Sequence, residues 1–168
     1  MYSSLSSIET ARFLEGTAVL PKQNEQGATI DMPTTREFSI RMEDKPGALG
    51  RMCRTLAEQG VNIVGFQSVP AEGKSVVRLV TDNPTETKTA IEKLKLTFAE
   101  TQVVQVKLPH RPGELARAAS KLGEANININ YAYCGLDPVT NGPLLFFGVE
   151  DTRQATDVLS QVAASAKA

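Results

Sequence analysis

The sequence predicts an α+β fold made of two copies of one β-α-β-β-α-β unit. Three observations predict it: a motif that occurs twice, a constant spacing between matching residues around it, and a switch between strand and helix periodicity inside each copy. The motif is Asp44-Lys45-Pro46-Gly47-Ala48-Leu49, and 66 residues later His110-Arg111-Pro112-Gly113-Glu114-Leu115. Arg51 and Arg117, Leu56 and Leu122, Glu58 and Glu124, Asn62 and Asn128, and Ile63 and Ile129 keep the same separation. So do Phe38, Ile40 and Met42, whose counterparts are Val104, Val106 and Leu108. An ordered series at one offset marks a duplication. Asp82 and Asp151 then stand 69 apart, so the second copy carries three extra residues, and the Asp-Pro and Asn-Gly turn signals place them within residues 136–142.

In the first copy, residues 36–42 alternate: Phe38, Ile40 and Met42 face one way, Glu37, Ser39 and Arg41 the other, as in a half-buried strand. Pro46 suits the first turn of a helix, where its missing N–H costs nothing, and Asp44 is positioned to cap it. Leu49, Met52, Cys53 and Leu56 fall on one helical stripe, matched by Leu115, Ala118, Ala119 and Leu122. Gly60 and Asn126 suit the left-handed position that ends such helices. Residues 61–69 and 75–81 read as a hairpin turning at Gly73, and Asp82-Asn83-Pro84 opens a second helix with Ala90, Ile91 and Leu94 on its buried side. Residues 98–108 are extended and hold the last strand of one copy and the first of the next. This split βαβ order predicts a ferredoxin-like unit, an antiparallel sheet with both helices on one face.

The second copy follows with a strand to Leu108, a helix to about Glu124, strands at 127–135 and 144–149, and a helix from Asp151. The last six residues make a poor strand, so this copy lacks a clear final one. The expected organisation is an N-terminal extension at 1–35, a first domain at 36–100 and a second at 101–168. Within the extension, Ser6 and Glu9 have capping-box spacing before Ile8, Ala11, Phe13 and Leu14. Residues 17–20 favour a strand that would pair with an open sheet edge, and residues 21–35 read as a linker.

Composition narrows the function. The 168 residues are 41% apolar and 22% charged with a net charge of −1, a globular balance without the basic cluster that nucleic-acid binding needs. No apolar run reaches the ~20 residues of a membrane span, and the start lacks signal-peptide order, so the cytoplasm is the expected compartment. Cys53 and Cys134 are not in metal-site spacing and read as buried thiols. With one histidine and no nucleophile elbow or phosphate loop, the sequence points away from an enzyme, a metal or a cofactor.

The repeated loop carries the binding chemistry. A helix N-terminus presents bare N–H groups and partial positive charge, which suits a carboxylate. Gly47 and Gly113 permit close approach, Pro46 and Pro112 stiffen the loop, and the amides of Asn62 and Asn128 suit either end of a zwitterion. Each feature has a plain alternative: Pro-Gly is often only a turn, the asparagines can bond loop backbone, and Lys45 and Arg111 can simply be solvated. The series Asn126, Asn128, Asn130 puts three amides on one strand face, either a site wall or the solvent side, while Tyr131 and Tyr133 take the opposite, core or interface face.

A βαββαβ unit that opens with Asp-Lys-Pro-Gly-Ala-Leu and continues with Gly-Val-Asn-Ile after its first helix resembles the ACT domain. The second copy, with Arg-Pro-Gly-Glu-Leu and Asn-Ile-Asn-Ile, resembles it too, and the pair is similar to small bacterial proteins made of two ACT domains. The resemblance implies side-by-side pairing of domains and an amino acid bound at their interface near the loop before the first helix. The residues it would place there are Asp44, Lys45, Pro46, Gly47, Ala48, Leu49, Asn62 and Ile63, with His110, Arg111, Pro112, Gly113, Glu114, Leu115, Asn128 and Ile129 in the second copy. His110 departs from the acidic or amide residue common at its position, so the two sites need not be equivalent. The expected function is a regulatory or sensor protein that binds an amino acid or similar metabolite and forms a homodimer. The alternatives are a regulatory subunit of a separate enzyme of amino acid metabolism and a purely structural dimerisation module.

Overall fold

The computed structural model describes residues 34–71 and 73–165. The short helix and strand expected before residue 34 lie outside them. The elements are β1 (Thr34–Glu43), α1 (Ala48–Glu58), β2 (Ile63–Ala71), β3 (Lys74–Thr81), α2 (Pro84–Lys93), β4 (Thr97–Lys107), α3 (Glu114–Glu124), β5 (Tyr131–Leu136), β6 (Pro143–Gly148) and α4 (Thr152–Ser165). Among the described residues no strand follows α4.

Local chemistry explains most boundaries. Asn83 caps α2 by accepting the Glu86 N–H at 3.2 Å, Pro84 fills its first turn, and Asp151 accepts the Gln154 N–H at 2.9 Å to open α4. Gly60 (φ +70°) and Asn126 (φ +57°) end the first helix of each repeat in the left-handed conformation. The amides that follow, of Val61 and Ile127, then bond back to Leu56 and Leu122. Asn126 therefore belongs to a helix cap, and β5 begins only at Tyr131, so the three asparagines do not form one strand face. Asp44 does not cap α1: Gly47 occupies the cap position and the Asp44 carboxylate accepts the Ser75 hydroxyl at 3.0 Å.

All ladders are antiparallel, as expected, but the strands do not form an open ferredoxin-like sheet. They close in the order β1-β3-β2-β5-β6-β4. β4 makes this possible. Its first part, Thr97–Val104, pairs with β1, and Val104–Lys107 pairs with β6, so one strand serves both repeats. The other seam is short, a single pairing of Gly65 with Gly135. Glycine is required there, because a Cβ on Gly135 would run into the Val64 carbonyl and the Gly65 Cα.

Closure gives the sheet an outer face against helices and an inner face against itself. Phe38, Ile40, Met42, Val77 and Leu79 pack on α1 and α2, and Val104, Val106, Leu145 and Phe147 pack on α3 and α4. Inside, Val80, Val103, Tyr133, Leu144 and Phe146 form a third cluster. Glu37, expected on the wetter side of its strand, is fully buried here, because that side is the interior of the closed sheet. Its two oxygens accept the hydroxyls of Tyr131 and Tyr133, each at 2.7 Å. Burial and the neighbouring Glu37 charge push the Tyr131 phenol up to about 12 and the Tyr133 phenol higher still.

Candidate functional site

The two Pro-Gly loops have the same backbone. Gly47 (φ +81°) and Gly113 (φ +91°) take the left-handed conformation immediately before α1 and α3, and no side chain caps either helix. In each, a turn bond closes the loop, from the Ala48 N–H to the Lys45 carbonyl at 3.2 Å and from the Glu114 N–H to the Arg111 carbonyl at 3.5 Å. Pro46 and Pro112 thus lie in the turn, one residue before the cap glycine rather than inside the helix.

What surrounds the loops differs. Beside the first lies a cavity of about 430 Å³ lined by residues that include Ala48, Arg51, Arg41, Lys74, Lys95 and Glu43. Four cations and one carboxylate face it, and that carboxylate is partly committed: Glu43 is ion-paired to Lys45, whose ammonium holds it below the usual carboxylate range. Lys95 reaches the rim from a left-handed residue (φ +54°) that ends α2, with its own N–H bonded to the Glu92 carbonyl at 2.9 Å. The arrangement is a positively charged recess at the open end of a helix, suited to a small anion.

At the second loop the protein supplies its own anion. Glu114, 7% exposed, accepts the Arg111 Nε at 2.6 Å and the Arg117 guanidinium at 2.6 and 3.2 Å. Arg117 and Arg111 hold the carboxyl below its ordinary range. Arg117 also donates to the Val162 carbonyl at 2.9 Å and the Ser165 hydroxyl at 2.8 Å, tying α3 to the end of α4. By the 66-residue offset, Arg117 corresponds to Arg51 and Glu114 to Ala48. The first repeat keeps the arginine and has no carboxylate in front of it.

The remaining expected site residues fall as follows. Asp44, Lys45, Pro46 and Gly47 are exposed around the first loop, Ala48 is buried at its cavity and Leu49 packs into the core. His110, Arg111, Pro112, Gly113 and Leu115 are exposed at the second. Asn62 and Ile63 are not brought to the first loop. They follow the far end of α1, an 11-residue helix and so roughly 16 Å long. There Asn62 exchanges backbone bonds with Asp82, at 2.9 Å to its carboxylate and 3.1 Å from its N–H. Asn128 and Ile129 likewise follow α3, and the Asn128 amide donates to Asn130 at 2.9 Å. Sequence reasoning missed Arg41, Lys74, Lys95 and the binding potential of Arg51. Only Arg51 carried a signal, its match to Arg117. The cysteines differ from expectation too: Cys53 is partly buried, which pushes its thiol up, and Cys134 is exposed.

Among the described residues no group of three or more His, Cys, Asp or Glu could hold a metal ion, and no helix is long and apolar enough to cross a membrane. No curated protein sequence matches this chain. Solved structures share its fold. Protein BT0572 from Bacteroides thetaiotaomicron superposes with a TM-score of 0.68 at 21% identity, covering 77% of this chain and 88% of that one. The regulatory subunit of aspartate kinase from Thermus thermophilus, in its ligand-free form, gives 0.56 at 16% identity, covering 79% and 93%. The equivalent subunit from Thermus flavus gives 0.53 at 16%, covering 79% and 94%. The sequence itself matches the family model for the ACT domain over residues 36–95. That match covers the first repeat, whose sequence is similar to the ACT domain.

Proposed function

We propose that this is a regulatory protein that binds a small carboxylate metabolite, an amino acid above all, at the first Pro-Gly loop. The observation that carries the reading is the substitution between repeats: the arginine that grips Glu114 in the second repeat has its counterpart, Arg51, beside a cavity behind Ala48 in the first. An incoming carboxylate would take the position that the Glu114 side chain takes in the other repeat, with Lys74 and Lys95 adding charge and Glu43 available to an ammonium group. Bound ligand would shift an association equilibrium, with a second copy of the chain or with a target enzyme.

The test is a series of thermal melts of the full chain with each standard amino acid. A ligand at 100 times its Kd stabilises by about 2.7 kcal/mol. The Ala48→Glu variant should behave as a permanently filled site, more stable alone and unresponsive to the ligand. If no amino acid or small carboxylate moves the melt, or if Ala48→Glu responds like the parent, the reading fails.

A second reading, a regulatory subunit of a separate enzyme, is supported by the fold shared with the aspartate kinase regulatory subunits of Thermus. It predicts that the chain, used as bait, retains an enzyme of amino acid metabolism, and that the captured amount changes with ligand.

A further inference from the structure

We infer that the helix-free face of the first repeat is a second binding site, centred on Arg78 and sharing only Arg41 and Thr97 with the cavity at the Pro-Gly loop, for a small carboxylate bearing a hydrogen-bond donor beside the carboxylate group. The strand registers build it. Ala99, Ser39, Arg78 and Gln67 stand in one row across β4, β1, β3 and β2, and Thr97, Arg41, Val76 and Val69 in the next. Side chains paired this way share a face of the sheet. Phe38, Ile40, Val77 and Leu79 take the face under the helices, so these rows take the other. Their small members keep the floor low, and a cavity of about 340 Å³ opens over it, lined by residues that include Ser39, Arg41, Val76, Arg78, Thr97 and Ala99.

Two buried polar atoms in the first row have no hydrogen-bond partner within the protein. The Arg78 Nε is one: it is ion-paired with the buried Glu37 carboxylate at 3.8 Å, a distance beyond hydrogen-bond reach. Glu37 does not turn toward it, because both its oxygens already accept tyrosine hydroxyls. The Gln67 Oε1, on the neighbouring strand, is the other. A buried donor or acceptor without a partner is costly and rare enough to call for an explanation. Here a donor on a guanidinium that lines the cavity and an acceptor on an amide belong to cross-strand neighbours. The Arg78 guanidinium is also held in place, its Cζ 4.1 Å from the centre of the Tyr131 ring. A guanidinium fixed by stacking has lost its rotamer freedom before a ligand arrives, which favours binding. Arg78 is thus set to take the carboxylate, Gln67 the adjacent donor, and exposed Arg41 adds positive charge at the rim.

Glycolate and acetate serve as probes, the first with a hydroxyl beside its carboxylate and the second without, in an NMR titration of the 15N-labelled full chain. Glycolate should move the Arg78 Nε–H resonance and the Ser39 and Ala99 amides saturably. Acetate should do so about three- to tenfold more weakly, the worth of one neutral hydrogen bond. Arg78→Met should abolish both responses, and Gln67→Leu should abolish the preference for glycolate. Ala48→Glu, which closes the Pro-Gly cavity, should leave them intact and so separates this site from the one proposed above. No saturable response to glycolate, a response that survives Arg78→Met, or equal affinity for the two probes overturns the inference. Because Arg78 packs on Tyr131, Gln67→Leu decides the matter if Arg78→Met does not fold, and a preference that persists in it is then the overturning result.

Discussion

The two Pro-Gly loops are built on one backbone and have opposite electrostatic situations. Both place a left-handed glycine before an uncapped helix, and both carry an arginine one turn in. At the second loop that arginine closes on Glu114, and the whole serves to fasten α3 to α4. At the first, Ala48 leaves the arginine beside a cavity ringed by cations. One change of side chain at equivalent positions separates a structural lock from a candidate receptor. After a duplication, a copy whose ion pair is internal is free of the need for ligand, while the other retains the charge that a ligand must satisfy.

The comparison breaks first at the arginines. Arg51→Ala should weaken binding of a responsive amino acid by roughly 10- to 100-fold, the loss of one charged hydrogen-bonding partner. Arg117→Ala should leave that affinity unchanged while lowering the melting temperature; isothermal titration beside a thermal melt reads both. Should Arg117→Ala instead abolish binding, the assignment of the receptor to the first loop is wrong.

Glycine replacements sharpen the comparison at the level of backbone. Gly47→Ala and Gly113→Ala each force a Cβ into the left-handed region, and no atom stands within 4 Å of it at either place. Both should therefore cost about 1 kcal/mol in denaturant unfolding, and nearly the same amount. A large difference between them would mean that the loops are not equivalent in backbone after all.

Acid titration isolates the lock. The folded Glu114 carboxyl is held low by its arginines. A carboxyl with a depressed folded value contributes stability that is complete above its unfolded value, about 4.3, and is lost as pH falls through the folded one. Glu114→Gln should flatten stability against pH in that acid range and change nothing in its slope near neutrality. The smallest effect is expected at Lys45, whose ammonium and Glu43 partner both lie exposed at the first loop. Lys45→Ala should leave the melting temperature within error of the parent, as exposed pairs usually do.

The legible part of this protein is what depends on neighbours in sequence. The period-two run around Phe38, the helical stripe from Leu49 to Leu56 and the turn chemistry at Gly60, Asn83 and Asn126 place elements close to where they stand, because each rests on a few adjacent residues. Asp44 was misread since a carboxylate two residues ahead of a Pro-Gly turn has the spacing of a cap, while the turn sends it to Ser75 on another strand. Asn62 and the Pro-Gly motif keep a constant distance in sequence that is the length of α1, so they stand at opposite ends of that helix within one repeat.

By itself, then, the sequence determined the duplication, the order of strands and helices, and the presence of two equivalent loops, all from short-range periodicity and one fixed offset. Only the tertiary structure decided that the strands close on themselves, that Glu37 is buried against tyrosines 94 and 96 residues away, and that one loop is locked while the other borders a cavity. Those outcomes depend on which edges meet and which charges find partners after folding, and a pattern of apolar and polar residues along one chain does not encode the distance between two side chains in different repeats.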